Sequence, residues 1–243
     1  MPFILLLVLF HVWGTSKNRR KAKQWIRTHA PVLQSEFAVV GFGGVPKLVR
    51  RGNDGGEIVP GSSDELVSPD SLLKEKSPQE FVTYATGRQN VAFLDVALKL
   101  PKRYNPITFT MEYVFSFFFE SWPAPSESVE ALSYGFDGKE KALVPTPSMD
   151  PSTLKVANST YDGFIWAVVH KSHMRKIRED RYDVSMTFTK DNAKLPPWVT
   201  VMTENAEITD LILTPELITA IEKAGDALEF LIITDQPVDK PTK

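Results

Sequence analysis

The sequence predicts an α+β fold with a mixed, largely antiparallel sheet and packed helices, preceded by a partial N-terminal transmembrane helix. Three observations lead to this prediction. Segments with alternating apolar residues and segments with helical spacing follow one another irregularly along the 243 residues. Two of the alternating segments are close enough in the chain to form a hairpin. The chain also begins with an apolar run that ends in a cluster of basic residues.

The N-terminal run at residues 3–13 contains eleven residues, of which only His11 is polar. A secretory signal peptide carries positive charges before its apolar stretch, whereas here the charges follow it. A transmembrane helix needs about 20 apolar residues, so this run reaches roughly half way across a bilayer. We therefore expect residues 1–15 to be the C-terminal half of a transmembrane helix whose first half lies upstream of Met1. A buried core helix is the alternative.

Charge is distributed unevenly along the chain. The net charge is −2, but all six charged residues before Glu36 are basic, and the remainder has 22 basic against 30 acidic residues. The positive-inside rule then places the basic segment and the domain that follows it in the cytosol. We expect residues 16–35 to be a basic juxtamembrane segment, helical from residue 16 and with its helix ended by Pro31. Its candidate contacts with anionic lipid headgroups are Lys17, Arg19, Arg20, Lys21, Lys23 and Arg27.

The next elements are predicted from alternation and from turn residues. A short strand covers residues 36–42, and the stretch 43–79, which is rich in Gly, Pro and Ser, is expected to be a long mobile loop. Segments 81–88 and 91–100 alternate on either side of Gln89-Asn90. They are predicted to pair as an antiparallel hairpin.

Residues 105–120 are unusually rich in aromatic side chains. Asn105-Pro106 suits the start of a helix, and the spacing of Phe109, Tyr113 and Phe117 predicts a helix that is nearly all buried or that touches a membrane surface. We expect the segment 109–119 to pack in the core. A patch that faces a membrane or a partner is the alternative.

The remaining elements complete a domain expected to extend from residue 36 to residue 237, followed by a tail at 238–243. They are a strand at 128–136, a second mobile Pro-rich loop at 137–160, a buried strand at 163–169, a basic helical segment at 171–182, a strand at 198–202, helices at 207–213 and 215–224, and a final strand at 228–234.

Motifs for catalysis and ligand binding are weak. The absence of Cys excludes disulfides, Cys-ligated metals and thiol catalysis. The segment Gly41-Phe42-Gly43-Gly44 follows a strand, but Pro46 stands where the last Gly of a dinucleotide fingerprint belongs, so we interpret it as a turn. His170 and His173 have no obvious third ligand and are interpreted as part of a solvated basic face. We expect no catalytic site, no cofactor, no metal and no small-molecule substrate.

The order of short sequence blocks along the chain resembles that of the calumin family, from about residue 10 to residue 237. No single block is diagnostic, and the resemblance depends on their order and spacing after the apolar run. The blocks are Asn18-Arg19-Arg20-Lys21-Ala22, Trp25, Thr28-His29, Ser35-Glu36-Phe37, Val40-Gly41, Thr86-Gly87-Arg88, Phe164-Ile165-Trp166-Ala167-Val168, Leu195-Pro196, Glu204, Glu207-Ile208-Thr209-Asp210, Phe230 and Thr234-Asp235-Gln236.

This resemblance implies a single-pass endoplasmic reticulum membrane protein of the PAT complex, with its main domain in the cytosol. Such a protein is not an enzyme but an intramembrane chaperone, which assists the biogenesis of multipass proteins. The implied partners are an Asterix-like small membrane subunit, the Sec translocon, the ribosome and nascent transmembrane clients, and the basic cluster becomes a candidate ribosome contact as well. The family's lumenal acidic segment, which is linked to calcium binding, and its C-terminal coiled coil are expected to lie outside this chain. The alternatives are an endoplasmic reticulum calcium-homeostasis factor and a soluble α+β enzyme without a recognisable motif.

Overall fold

The computed structural model describes residues 2–42, 69–119, 122, 124–136 and 164–239. Contacts divide the chain into two compact units, Met1–Pro145 and Thr146–Lys243. Each unit contains helices and a sheet of its own, which confirms the α+β class. The single mixed sheet that the sequence predicts is instead two sheets, and every strand pairing in the described residues is antiparallel. The strands pair within their own unit, and the predicted domain boundaries stay predictions.

The first unit joins one long helix to a five-stranded sheet. The strand order is β1-β3-β4-β5, and β2 pairs with β3 beside that path. The elements are α1 (Pro2–Glu36), β1 (Val39–Val40), β2 (Lys74–Ser77), β3 (Glu80–Thr86), β4 (Val91–Lys99), α2 (Pro106–Phe118) and β5 (Ser128–Gly135).

The predicted hairpin is confirmed as β3 and β4, whose register pairs Tyr84 with Asp95. Asn90 adopts a positive φ of 64°, a conformation that a short Asn side chain tolerates at a turn. Alternate residues of both strands face α1, where Phe81 and Val96 pack against Ala22. The alternation visible in the sequence therefore marks the side of the sheet that α1 covers.

Helix α1 does not end at Pro31, contrary to the prediction. The helix continues to Glu36 with Pro31 inside it. Proline removes one backbone hydrogen bond, but Ile26 and Ala30 in the preceding turn are buried against Leu72. Packing on both sides of this position therefore holds the helix across the missing bond.

Part of the predicted mobile loop at 43–79 is regular structure. A 3-10 turn covers Pro69–Leu72, and β2 follows it. Strand β2 forms because Lys74 and Glu75 pair with Val82 and Phe81 of β3, a long-range contact that the local composition does not indicate. Residues 43–68 of that loop and the predicted loop at 137–160 lie outside the described residues.

The second unit has a four-stranded sheet with strand order β7-β8-β6-β9. The predicted strands and helices of this region are present, with β7 and the short helix α4 in addition. The elements are β6 (Ile165–His170), α3 (Met174–Asp180), α4 (Tyr182–Ser185), β7 (Phe188–Lys190), β8 (Val199–Thr203), α5 (Ala206–Ile212), α6 (Pro215–Ala224) and β9 (Phe230–Thr234).

Strand β6 is the centre of this unit and is buried on both faces, as predicted. Trp166 and Val168 belong to the cluster that α5 and α6 cover, whereas Ile165 and Val169 belong to the cluster that α3 and α4 cover. A strand covered on both sides has no solvent face and needs no polar alternation. The continuous apolar run in the sequence therefore reflects a three-layer arrangement.

Candidate membrane-facing site

Helix α1 packs on the first unit through one narrow stripe. Gly14, Asn18, Ala22, Ile26 and Ala30 recur at every fourth residue, and all five are buried. Residues four apart lie on one face of a helix, so the small side chains of this stripe let the helix backbone approach the unit closely. A Cβ atom at Gly14 would lie 2.3 Å from the backbone carbonyl oxygen of Arg103.

Asn18 is the polar centre of the stripe and is fully buried. Its Nδ2 donates to the carbonyl oxygens of Pro78 at 2.9 Å and Pro101 at 3.0 Å. The Nη1 group of Arg103 donates to Asn18 Oδ1 at 3.0 Å. A buried amide with all these partners fixes both position and rotation, so Asn18 connects α1 to two separate turns of the unit. Asn18 lies in one of the sequence blocks of the family resemblance, but its burial and its partners could not be inferred from the sequence.

Four of the six basic residues predicted to meet lipid headgroups or a ribosome contact acidic residues of the same unit, and their predicted external contacts stay a prediction. Arg19 forms a bidentate pair with Glu75, with its closest contact at 2.7 Å. Lys21 pairs with Glu127, which also accepts from Arg103. Exposed ion pairs of this kind contribute ~0–1 kcal/mol each. They mainly fix the rotation of α1 about its axis.

The other two of these four basic residues share one carboxylate. Arg27 Nε lies 2.9 Å from Asp70 and Lys23 Nζ lies 3.2 Å from it. Hydrogen bonds from Arg27 and then Lys23 lower the pKa of Asp70. In the same way, hydrogen bonds from Lys21 and then Arg103 lower the pKa of Glu127. Both carboxylates therefore stay charged when the surrounding solution becomes mildly acidic.

Lys17 and Arg20 differ from the other four basic residues. Within the described part of the chain, neither forms an ion pair, and both are exposed. The ammonium group of Lys17 lies 4.9 Å from the centre of the Trp13 ring, in a cation–π contact. These two cations follow directly after the apolar run and remain available to an external anion.

The apolar half of α1 is exposed along its length. Leu5, Leu9, Val12 and Trp13 are each more than half exposed. Among the described helices, none combines the length and the apolar content that crossing a membrane requires. The half-span at residues 1–15 stays a prediction.

Helix α2 is the largest difference between the predicted and the observed site. The sequence favoured core packing for the segment 109–119, and that expectation is wrong because no residue of α2 is buried. Phe117 and Phe118 are 74% and 77% exposed. The alternative, an exposed apolar patch, matches the structure. Hydrophobic periodicity alone did not decide between the two environments because α2 carries apolar residues on most of its circumference.

The start of α2 lies against the end of the apolar run of α1. The rings of His11 and Tyr104 meet edge to face, with 5.7 Å between their centres. The backbone of Arg103 approaches Gly14, as described above. The exposed apolar run of α1 and helix α2 therefore lie next to each other in the first unit. Lys17 and Arg20 lie on α1 just beyond this apolar region.

The other sequence candidates do not form a chemical site. Gly41 has a φ of +81°, and a Cβ there would lie 2.7 Å from the Leu72 Cα, as expected of a turn glycine, whereas Gly43 and Gly44 lie outside the described residues. His170 hydrogen-bonds Ser172 through Nδ1, and its ring centre is 5.8 Å from that of His173. The described residues contain no cluster of three or more His, Asp or Glu with metal-binding geometry.

The chain is similar to curated proteins of fungi and vertebrates. A UPF0674 endoplasmic reticulum membrane protein of Schizosaccharomyces pombe is 27% identical to it, over 99% of this chain and 56% of the relative. A protein of the same description from Saccharomyces cerevisiae is 27% identical, over 98% and 54%. The PAT complex subunit CCDC47 of Danio rerio is 21% identical, over 96% and 39%. The chain thus spans about half the length of the yeast relatives that it matches.

A family model described as PAT complex subunit CCDC47 matches residues 1–243. The match covers both units and the apolar run, which confirms the resemblance predicted from the order of the short blocks. The two yeast relatives are by name endoplasmic reticulum membrane proteins. The chain belongs to the family of PAT complex subunit CCDC47.

Proposed function

We propose that this chain is the membrane-proximal part of a non-enzymatic scaffold subunit that assists the insertion of multipass proteins into the endoplasmic reticulum membrane. Residues 1–15 lie in the membrane as the end of a single span, and the two units lie in the cytosol. The partners are an Asterix-like small membrane subunit, the Sec translocon, the ribosome and nascent transmembrane clients. The family assignment and the names of the relatives support this proposal.

One structural observation carries the proposal. Helix α1 is continuous from the apolar run to the buried stripe that packs on the first unit. Asn18 and the pairs to Glu75, Asp70 and Glu127 fix the helix in both position and rotation. A span attached in this way holds its cytosolic domain at a defined height and orientation, which is what a scaffold beside a translocon requires.

The two unpaired cations provide the first test. In the full-length protein in cells, Lys17→Glu with Arg20→Glu is expected to weaken correct insertion or co-sedimentation with ribosomes and the Sec translocon, because these side chains are free to meet lipid phosphates or ribosomal RNA. The matched control is the swap Arg19→Glu with Glu75→Arg, which reverses a charge of α1 but keeps the internal pair. Wild-type topology and wild-type co-sedimentation of the Lys17 and Arg20 variant contradict a role for this basic segment.

The orientation of the domain has a separate test. Asn158-Ser159-Thr160 is an acceptor sequon for N-glycosylation, which is used only in the lumen. We expect the protein from endoplasmic reticulum membranes to show no mobility shift at Asn158 after endoglycosidase treatment. An added sequon upstream of the apolar run of the full-length protein serves as the positive control. Glycosylation at Asn158 places the domain in the lumen and contradicts the cytosolic assignment.

A further inference from the structure

We propose that α2 lies in the interfacial region of the phospholipid bilayer, beside the end of the span, as a second membrane contact. The inference rests on the proposed function in one respect, namely that the apolar half of α1 is in the membrane. The juxtaposition that supports it is an exposed aromatic helix that starts next to the last turn of an exposed apolar run. The occupant of this surface is lipid.

The exposed surface of α2 is apolar and largely aromatic. Its exposed apolar side chains share one face, an arc of about 160° at ~100° per residue; they are Ile107, Met111, Tyr113, Val114, Phe117 and Phe118, and Phe119 and Trp122 after the helix extend the set. A helix that lies in the membrane interface enters the bilayer with one such apolar face. Five of these eight side chains are aromatic, and aromatic residues concentrate at the membrane–water interface. This composition, beside the exposed apolar run of α1, favours lipid as the occupant.

Helix α2 has a single charged residue, Glu112, which pairs with Lys102 at 2.6 Å and whose side chain is 21% exposed. The hydroxyl group of Thr110 donates to the carbonyl oxygen of Pro106 at 2.7 Å, and the hydroxyl group of Ser116 donates to the carbonyl oxygen of Tyr113 at 2.7 Å. These hydroxyl donors are satisfied within the helix, as a low-dielectric medium requires.

The contact between Arg103 and Gly14 places the start of α2 one residue beyond the apolar run along α1. Lys17 and Arg20 lie one to two turns further along α1. Anionic phospholipid headgroups complement both cations. The end of the span, the two cations and α2 therefore all lie near the same level, which is the level of the membrane surface.

The absence of cysteine in the chain permits a direct test. Single-cysteine variants carry a nitroxide label at Phe117→Cys or Phe118→Cys in α2, at Val8→Cys in the span, and at Lys223→Cys on the exposed side of α6. The full chain is reconstituted at a low protein-to-lipid ratio in vesicles of phosphatidylcholine with a minor share of phosphatidylserine. The depth of each label is then obtained from the ratio of two collision rates, one with oxygen, which dissolves in the bilayer, and one with a nickel chelate, which stays in water.

We expect the labels at Phe117 and Phe118 to be accessible to oxygen and shielded from nickel, at a depth of about 5–10 Å below the headgroups. Val8 is expected to lie deeper, and Lys223 to remain in water. If the labels in α2 are accessible to nickel while the label at Val8 is shielded from nickel, the inference is overturned but the proposed function stands. A water-like Val8 contradicts the membrane part of the proposed function, and the inference falls with it.

A second measurement separates lipid from a protein occupant. The double variant Phe117→Asp with Phe118→Asp is expected to lower vesicle partitioning about tenfold or more, because two large apolar side chains no longer enter the bilayer. The control is Thr219→Asp with Ala220→Asp, two exposed positions of α6, which are expected to leave partitioning unchanged. Labels in α2 that are shielded only in endoplasmic reticulum membranes, and not in protein-free vesicles, identify a protein occupant and overturn the inference.

Discussion

Helices α2 and α6 begin alike, since each has a polar residue that caps the first turn and a proline at the first helical position. Asn105 accepts from the backbone N–H of Thr108, and Thr214 accepts from that of Leu217. Their surroundings differ completely. Ile221 of α6 is 2% exposed in the cluster around Trp166, whereas no residue of α2 is buried.

The amount of apolar surface on a helix determines whether one face of a sheet can cover it. Helix α6 has a clear polar face and one apolar face, so the sheet of the second unit covers the apolar face and leaves the polar face in water. Helix α2 is apolar on most sides, and a single sheet face cannot cover it. An excess of apolar surface in one helix of a water-exposed domain indicates an interaction surface.

The largest effect is expected from truncation of buried and exposed residues. Ile221→Ala removes a fully packed side chain and is expected to lower the free energy of unfolding by about 2–5 kcal/mol. Phe117→Ala is expected to change it by less than about 0.5 kcal/mol, although the side chain is larger. Urea unfolding followed by tryptophan fluorescence measures both, because Trp166 lies in the same cluster as Ile221 and Trp25 packs against the core of the first unit, to which α2 belongs. Equal losses contradict the exposed position of α2.

The next effect concerns the contact that positions α2 beside α1. Gly14→Ala places a Cβ 2.3 Å from the backbone oxygen of Arg103, and we expect this overpacking to cost about 1–3 kcal/mol. Gly135→Ala is the matched control because its Cβ would come no closer than 3.8 Å to the carbonyl oxygen of Asn90. Thermal unfolding of both variants measures the difference. A neutral Gly14→Ala contradicts the close approach of the two segments.

The two helix caps are expected to have a smaller effect that depends on the environment. Thr214→Ala is expected to destabilise the second unit by about 1 kcal/mol, because α6 is part of its core. Thr214→Ser retains the acceptor oxygen and is expected to restore the loss. Asn105→Ala is expected to reduce helical circular dichroism without a comparable shift of the unfolding midpoint. A midpoint shift as large as that of Thr214→Ala indicates that α2 contributes to the core after all.

The smallest effect is expected from pH. The pKa values of Asp70 and Glu127 are lowered in the folded chain by their basic partners on and beside α1. The ionised carboxylates therefore contribute stability above their unfolded pKa values of about 4, and this contribution is lost as pH falls through the lower folded values. The double variant Asp70→Asn with Glu127→Gln is expected to flatten the decline of the midpoint between about pH 5 and pH 3. An unchanged pH slope contradicts the pairing.

Much of the secondary structure could be predicted from the sequence because its signals are local. The alternation on both sides of Gln89-Asn90 predicts β3 and β4, and Asn105-Pro106 predicts the start of α2. The continuous apolar run of β6 predicts burial on both faces. The order of short blocks was enough to indicate the family, whose model matches the whole chain.

Other features could not be predicted because they depend on contacts between distant residues. Strand β2 exists because β3 offers it an edge, and α1 passes Pro31 because Leu72 packs against Ile26 and Ala30. The acidic partners of the basic cluster lie between 43 and 106 residues away along the chain. The pattern of charges in the first 35 residues contains no information about these partners.

The positions of most helices and strands, the uneven charge, the absence of cysteine chemistry and the family could all be inferred from the sequence. Which of the predicted surfaces remain available depends on the packing of distant segments. Four of the six basic residues form ion pairs with acidic residues of the same unit, whereas Lys17 and Arg20 form none among the described residues. Helix α2 is exposed rather than buried. The physical reason is that periodicity specifies which side chains share a face, whereas only the packing of distant segments determines whether protein, water or lipid covers that face.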